Sequence, residues 1–469
     1  MTGSPSRPVV ASGREGTFDR ALERACGGRA IPGNQVRHLA DGPAAFGAMA
    51  ELIESAQVVV HFENYIIHDD ATGRRFATLL GAAATRGVTV RVLYDHLGCF
   101  GTPRAFWRGL RNAGIQVRAF NPLSPFHPVR SAHRDHRKYV GVDRTRAVVG
   151  GLCIGDEWTG DAEHGRRPWR DTAVEVRGPA AEAIDLSFVR LWLQAGGDVP
   201  ESPATQPAPC GDAVVRTVEG VPGRLRMYRA VALLVAGAAD RVWITDAYLL
   251  APTPLVAGLI AAARDGVDVR LLLPGKSDLP AVRTLTRVGY RELLQAGARI
   301  WEWRGPMLHA KTVIADRAWL KIGSSNLNPS SLVSNYELDV LTSDPDVTEA
   351  AAHQFRRDLA YATEVILKRH RVALARHLPP AVVSTGTAMA PDHAPGAKER
   401  SQRAVVALQR LASGARRTIA GAVLFGSVGV GVLFALAPRV MAYLVAFTCF
   451  TVAANAGRHF IAWQRQRDE

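Results

Sequence analysis

The stretch His136–Gly151 reads HRKYVGVDRTRAVVGG, and His309–Asn326 reads HAKTVIADRAWLKIGSSN. In both, histidine and lysine stand two apart, an aspartate lies seven after the histidine, and a glycine (Gly150, Gly323) fourteen after it. The alternation of KYVGV and KTVIA is that of a strand, which puts histidine and lysine on one face. The DR that follows opens a turn into RAVVG or AWLKIG, so each stretch is predicted to be a hairpin. A lone His-x-Lys on a strand is usually a surface pair. Two occurrences at the same place in two repeats are not explained that way.

The repeat extends upstream of each stretch. Copy one holds the apolar run VVVHFENYII (Val58–Ile67), the helical RRFATLLGAAATRG, the strand VTVRVLYD (Val88–Asp95), the helical FWRGLRNAG and the strand IQVRAF (Ile115–Phe120). Copy two holds VWITDAYLL (Val242–Leu250), PLVAGLIAAARDG, VDVRLLLPG (Val267–Gly275), YRELLQAG and ARIWEW (Ala298–Trp303). Gly87 and Gly114 in one copy, Gly266 and Gly297 in the other, mark matching helix exits. Strands alternating with helices predict βαβ units, an α/β class and a mostly parallel sheet. Two lobes are expected over 31–195 and 213–372, joined by the Pro-rich linker 196–212 and preceded by an N-terminal extension, 1–30. Packed as a pseudo-dimer, they would set equivalent residues around a shared axis.

A formal net charge of +14 fits a phosphate-bearing partner, either nucleic acid or anionic lipid. Only six of the 57 basic residues are lysine, so a lysine retained against an arginine-rich background is informative. The five cysteines are scattered without CxxC spacing, which gives neither a disulfide framework nor a zinc site. The opening MTGSPSRPVVASGREG has no apolar run, so a secretory signal is not expected and the catalytic part should face a reducing cytoplasm.

Past the lobes the composition shifts. A flexible linker is expected over 373–402, a basic amphipathic segment over 403–417, a membrane hairpin over 418–457 and a basic tail over 458–469. Ile419–Ala437 and Val440–Ala456 are uncharged runs separated by Pro438–Arg439. Arg416 and Arg417 before them and Arg458, Arg465 and Arg467 after them place both ends on the cytoplasmic side. A buried pair of helices in a soluble domain is the alternative.

The chemistry of the doubled motif is nucleophilic. A histidine can attack phosphorus while a second protonates the leaving oxygen. Lys138 and Lys311 would supply point charges to the phosphate oxygens as charge builds. Two copies about a pseudo-dyad place His136 and His309 on opposite sides of one phosphate, as in-line displacement requires. No metal or other cofactor is called for. Asp143 and Asp316, beyond the strand ends, are motif residues with an expected turn-fixing role.

The doubled HxKxxxxD spacing with its Gly-Gly or Gly-Ser turn resembles the phospholipase D superfamily. The flanking sequences RPWRDTAVEVRGPA, LLLPGKSD, HFENYIIHDDATGRRF and SSNLNPSSLVSNYELDVL resemble bacterial cardiolipin synthases, a similarity running from about residue 30 to 365. The resemblance implies two phospholipase D-like βαβ lobes packed as a pseudo-dimer, to which the sequence adds the C-terminal transmembrane hairpin. It implies a phosphatidyl-histidine on His136 or His309, the other acting as acid and then base, with His136 taken as nucleophile by analogy alone. It also implies a phosphate grip from Lys138, Lys311, Asn326 and Ser324, and imidazole-orienting carboxylates at Asp171 and Glu337. Cys153 departs from the pattern, standing where copy two has Asn326, and a thiol is a weak donor. Members with a membrane anchor carry it at the N-terminus, a second departure. Tyr65, Tyr248 and Asp95 lie at strand ends near the expected pocket. The expected activity is a phosphatidyltransferase joining two phosphatidylglycerols into cardiolipin and glycerol at the bacterial inner membrane, with no nucleic acid partner. A hydrolytic phospholipase D, a nuclease of the superfamily and a non-catalytic membrane scaffold are the alternatives.

Overall fold

The run VVHFEN is buried along its whole length, as a strand covered on both faces must be. It is one of fifteen strands in the computed structural model, which describes residues 15–123, 132–161, 163–198 and 207–367. The first half contributes β1 (Ile31–Leu39), β2 (Val59–Asn64), β3 (Thr89–Asp95), β4 (Gln116–Phe120), β5 (Lys138–Val142), β6 (Arg146–Gly150) and β7 (Ala173–Arg177). The second contributes β8 (Ala213–Gly220), β9 (Arg241–Thr245), β10 (Asp268–Pro274), β11 (Arg299–Trp303), β12 (Thr312–Ala315), β13 (Trp319–Gly323), β14 (Glu337–Thr342) and β15 (Ala362–Val365).

The strand order is β15-β11-β10-β9-β12-β13-β14-β8-β1-β7-β6-β5-β2-β3-β4. Read from the centre outward, the two halves repeat one another. β1 and β8 meet antiparallel at the seam, with an irregular register between Ile31 and Asn34, and β15 is an extra edge strand on the second half. The arrangement has the pseudo-twofold relation that the sequence repeat implies.

Among the described residues, parallel ladders between strands are confined to β2-β3-β4 and β9-β10-β11. All the remaining ladders among the described residues are antiparallel, including β2 with β5 and β9 with β12. The mostly parallel sheet expected from sequence is therefore corrected to a mixed one. Continuous apolar runs report burial on both faces and say nothing of a neighbour's direction.

Each half has its own core, around Phe46, Phe62 and Phe76 in the first and Val231, Leu259 and Leu271 in the second. A third cluster joins Phe188 and Trp192 of the helix Pro179–Gln194 to Trp243 and to Phe355 of the helix Pro345–Ala360. This shared core fixes the halves against each other. The helix Glu15–Cys26 buries Leu22 and Cys26 in the core of the second half, with the Phe18 ring 5.9 Å from that of Trp319. Gly87, Gly114, Gly266 and Gly297 all have positive φ, as the helix exits require. At Gly150 and Gly323 the reason is a close approach: an added Cβ would lie 2.5 Å from the Ala173 Cβ and 2.4 Å from the Leu338 carbonyl oxygen.

Asp143 and Asp316 close the turns after β5 and β12 with φ of 51° and 52°. The Asp143 carboxylate accepts the backbone N–H groups of Gln57, Val58 and Val59 at 2.8–3.0 Å. Asp316 does the same for Ala239, Asp240 and Arg241. Both stand at the opposite strand ends from the histidines. Asp143→Ala or Asp316→Ala is expected to cost about 2 kcal/mol, from lost acceptors and a left-handed residue that alanine tolerates poorly. The result to look for is a lower melting temperature with turnover per folded molecule unchanged; turnover that collapses without destabilisation would contradict the turn role.

Among the described residues no helix is long and apolar enough to cross a membrane. The expected linker (373–402), basic segment (403–417), hairpin (418–457) and tail (458–469) lie outside the described residues.

Candidate active site

β5 begins at Lys138 and β12 at Thr312, so His136 and His309 stand just ahead of the strands on which the alternation had placed them. What holds them is pairing across the junction. Asp135 forms a parallel bridge with Tyr336, and Arg170 with Leu308. The Tyr336 N–H donates to the Arg134 carbonyl at 2.8 Å and the His136 N–H to the Tyr336 carbonyl at 2.9 Å. Symmetrically, the Arg170 N–H donates to the Met307 carbonyl at 2.8 Å and the His309 N–H to the Arg170 carbonyl at 2.7 Å. Each bridge delivers the next residue, Glu337 or Asp171, to the histidine of the other half.

The contacts are crossed. His136 Nδ1 lies 3.0 Å from both Glu337 carboxylate oxygens, and His309 Nδ1 lies 2.6 Å from Asp171 Oδ2. In each ring this leaves Nε2 as the nitrogen free to react. Glu337 and Asp171 are fully buried. Burial alone would raise Asp171, but the Lys311 charge and His309 hold it at about 2. Glu337 also sits below the usual carboxylate range, because His136, Lys138 and Ser324 outweigh its burial. Both histidines are pushed down, chiefly by burial, His309 to about 4. At neutral pH the pocket therefore holds two neutral imidazoles against two ionised carboxylates.

The lysines converge on the same place. Lys138 Nζ donates to the His136 carbonyl at 2.6 Å, and Lys311 Nζ donates to the His309 carbonyl. Both side chains are buried, and burial together with the Lys138 charge lowers Lys311 to about 8. Lys138 acts to lower His309 and Lys311 acts to lower His136, so each charge reaches the other half's histidine. Two like charges facing inward make a pocket suited to an anion.

The supporting residues are not symmetric. Ser324 Oγ donates to Glu337 Oε2 at 2.5 Å. Its counterpart Gly151 has no room for a side chain, since a Cβ there would lie 2.2 Å from Asp171 Oδ1. Instead the Trp158 indole N–H donates to Asp171 Oδ2 at 3.0 Å, and its ring stands 5.5 Å from that of His309. Sequence reasoning missed Trp158, and Trp169, whose ring is 5.9 Å from His309; neither carries a repeat or spacing signal. Asn326 is buried, its Nδ2 3.5 Å from Ser331 Oγ and its Oδ1 without a partner among the described residues. Cys153 is buried in the equivalent place, its thiol pushed up by burial, with Lys138 and Lys311 acting to lower it.

Tyr65 packs its ring 4.9 Å from His136 and lies under Lys138 Nζ at 5.0 Å, and Tyr248 stands 6.0 Å from His309. Asp95 does not reach the pocket through its carboxylate. It accepts the N–H groups of Leu97, Gly98 and Asp135 and pairs with Arg134 at 3.3 Å, tying down the segment that leads into His136.

The low value at His309 has a thermodynamic consequence. An unfolded histidine titrates near 6.5 and His309 at about 4, so between these values the unfolded chain binds more protons. The stability contributed by the neutral ring is complete above pH 6.5 and lost as pH falls through about 4. His38, lowered to about 4 by burial and Arg170, adds in the same direction. The apparent melting temperature of the detergent-solubilised protein is expected to fall across this window; a flat profile would refute neutral buried imidazoles.

The chain is similar to known proteins over much of its length. The chain matches the family described as "Cardiolipin synthase, PLD-like domain" over residues 49–160 and 233–359, just over half its length and one segment in each half of the sheet. It is 34% identical over 346 residues to cardiolipin synthase A of Pseudomonas fluorescens strain SBW25, covering 73% of this chain and 72% of that one. It is 32% identical over 349 residues to cardiolipin synthase A of Pseudomonas syringae pv. syringae strain B728a, covering 74% and 73%. Among solved structures, phosphatidylserine synthase of Haemophilus influenzae Rd KW20 superposes with a TM-score of 0.58 at 13% identity, covering 74% of this chain and 92% of that one, a likeness of fold. Two matched segments, and relatives similar across nearly three quarters of both sequences, show that the chain belongs to the cardiolipin synthase family of PLD-like domain proteins.

Proposed function

We propose that the chain is a cardiolipin synthase, transferring a phosphatidyl group from one phosphatidylglycerol to the terminal hydroxyl of another and releasing glycerol. The observation that carries this reading is the crossed pair of histidine–carboxylate contacts around two buried lysines. In the first step His136 Nε2 attacks phosphorus as the bond to the headgroup glycerol breaks, and His309 Nε2 gives the departing oxygen its proton. In the second, the acceptor hydroxyl attacks, the P–N bond breaks, and the hydroxyl proton passes to His309. The bound phosphodiester anion supports the acid step, because its negative charge raises His309 from its resting value. Lys138 and Lys311 neutralise charge on the non-bridging oxygens, with Asn326 and Ser324 beside them.

The basic balance, the apolar runs within 418–457 and the names of the relatives support a lipid substrate at a bacterial inner membrane, with the catalytic part facing the cytoplasm. In this reading lobes 31–195 and 213–372 act as one catalytic unit and the hairpin is their anchor. The test is purified full-length protein given headgroup-labelled and acyl-labelled phosphatidylglycerol. Cardiolipin with an equal yield of free glycerol is expected; phosphatidic acid as the sole lipid product would make the enzyme a hydrolase and end the transferase reading.

A further inference from the structure

Beside His309 lies a cleft of about 590 Å³, a volume within the range of small-molecule sites, roughly 300–1,000 Å³. Trp169 lines it and also packs against the His309 ring. On the other side Lys276 lines it, two residues before Asp278, whose carboxylate accepts the Tyr248 hydroxyl at 2.8 Å. Tyr248 in turn faces His309. The cleft thus neighbours the His309 side of the pocket, with the Trp169 ring between the two.

Its lining sets four cations, Arg166, Arg167, Lys276 and Arg304, against three carboxylates, Asp156, Glu157 and Asp161, a formal excess of one positive charge. Asp161 is taken by Arg166 at 2.8 Å and by His164. Asp156 accepts the Thr72 N–H and hydroxyl, and Glu157 faces His68 at 3.8 Å. Arg304 donates only to the neutral carbonyls of Ala360 and Tyr361. Lys276 and Arg167 have no ion-pair or hydrogen-bond partner among the described residues. Lys276 is also one of the chain's six lysines, and the chemistry at His136 and His309 leaves it unused.

We propose that this cleft binds the phosphodiester of the second, acceptor lipid, with Lys276 and Arg167 as its ligands; the inference rests on the phosphatidyltransferase reading. In-line displacement at a phosphatidyl-His136 brings the acceptor hydroxyl in from the face opposite the P–N bond, which is the His309 side. An acceptor phosphatidylglycerol carries its own phosphodiester one glycerol away from that hydroxyl, and the cleft with Lys276 and Arg167 is on that side, next to Trp169. Binding it places the hydroxyl against His309 Nε2, raises the acceptor's local concentration over water, and makes the enzyme a transferase. Free glycerol, with no phosphate, gains nothing from the cleft.

The test compares two reactions of the full-length enzyme in mixed micelles: cardiolipin formation, and exchange of labelled glycerol into phosphatidylglycerol, which needs only the donor half of the site. In the variant Lys276→Gln/Arg167→Gln, cardiolipin formation should fall roughly tenfold or more, as for lost charge-assisted hydrogen bonds. Glycerol exchange should stay within about twofold of wild type, which also reports an intact fold. A second arm offers soluble glycerophosphoglycerol, which wild type should prefer to glycerol and the variant should not. Equal loss of both reactions, or loss of neither, would overturn the subsite. Loss with lipid acceptor but not with the soluble diester would assign the two cations to membrane contact, and would overturn it as well. Wild-type enzyme that forms no cardiolipin would instead overturn the transferase reading beneath it.

Discussion

His136→Ala is expected to form no covalent adduct with acyl-labelled phosphatidylglycerol at any time, whereas His309→Ala should form one slowly and hold it. Both should lose at least about 10³-fold in cardiolipin formation, since nucleophile and acid–base catalyst are each required in both half-reactions. The asymmetry follows from the proposed acceptor cleft. The cleft that admits the acceptor adjoins His309, so His309 is on the side where glycerol leaves and the second lipid enters. With His136 present and His309 gone, attack still occurs, and the phosphatidyl-histidine then meets an acceptor whose proton has nowhere to go. An adduct on the His136 variant and none on the His309 variant would reverse the assignment. Near-normal turnover by either would sink the shared site.

Asp171→Asn and Glu337→Gln should each cost about 10²–10⁴-fold, the range expected when a buried carboxylate that fixes a catalytic imidazole becomes an amide. The amide N–H₂ donates toward Nδ1, moves the ring proton to Nε2 and removes the reactive lone pair. The crossed contacts make the result specific. Asp171 lies in the first half but holds His309, so Asp171→Asn should behave like His309→Ala and retain adduct. Glu337 lies in the second half but holds His136, so Glu337→Gln should behave like His136→Ala and form none. The reverse pattern would show that each carboxylate serves its own half. Circular dichroism and gel filtration should match wild type, because each side chain keeps nearly the same volume.

Much of this was legible before any coordinates. Spacing alone identified His136, Lys138, His309 and Lys311, since two copies in register leave little room for coincidence. The helix-exit glycines carried their own conformational reason, and the turn role of Asp143 and Asp316 followed from their place past the strand ends. Strand direction was not legible, because β2 is buried along its length and covered on both faces, which fits parallel or antiparallel neighbours alike. Nor was the crossing. It depends on Asp135 meeting Tyr336 and Arg170 meeting Leu308, contacts between segments far apart in the chain that no local pattern encodes. Trp158 substitutes for a hydroxyl at a position where Gly151 leaves no space, a compensation visible only once both halves are seen together.

The exchange of carboxylates between halves also bears on the order in which the chain is made. When the first half has emerged from the ribosome it carries a histidine and a lysine, but the acid that orients that histidine is still to be translated, as is the histidine that Asp171 will hold. A partly synthesised polypeptide therefore has no competent phosphodiester chemistry to turn on the lipids around it. On the proposed mechanism, a competent site awaits the docking of the last-made half, which brings the crossed carboxylates to both histidines.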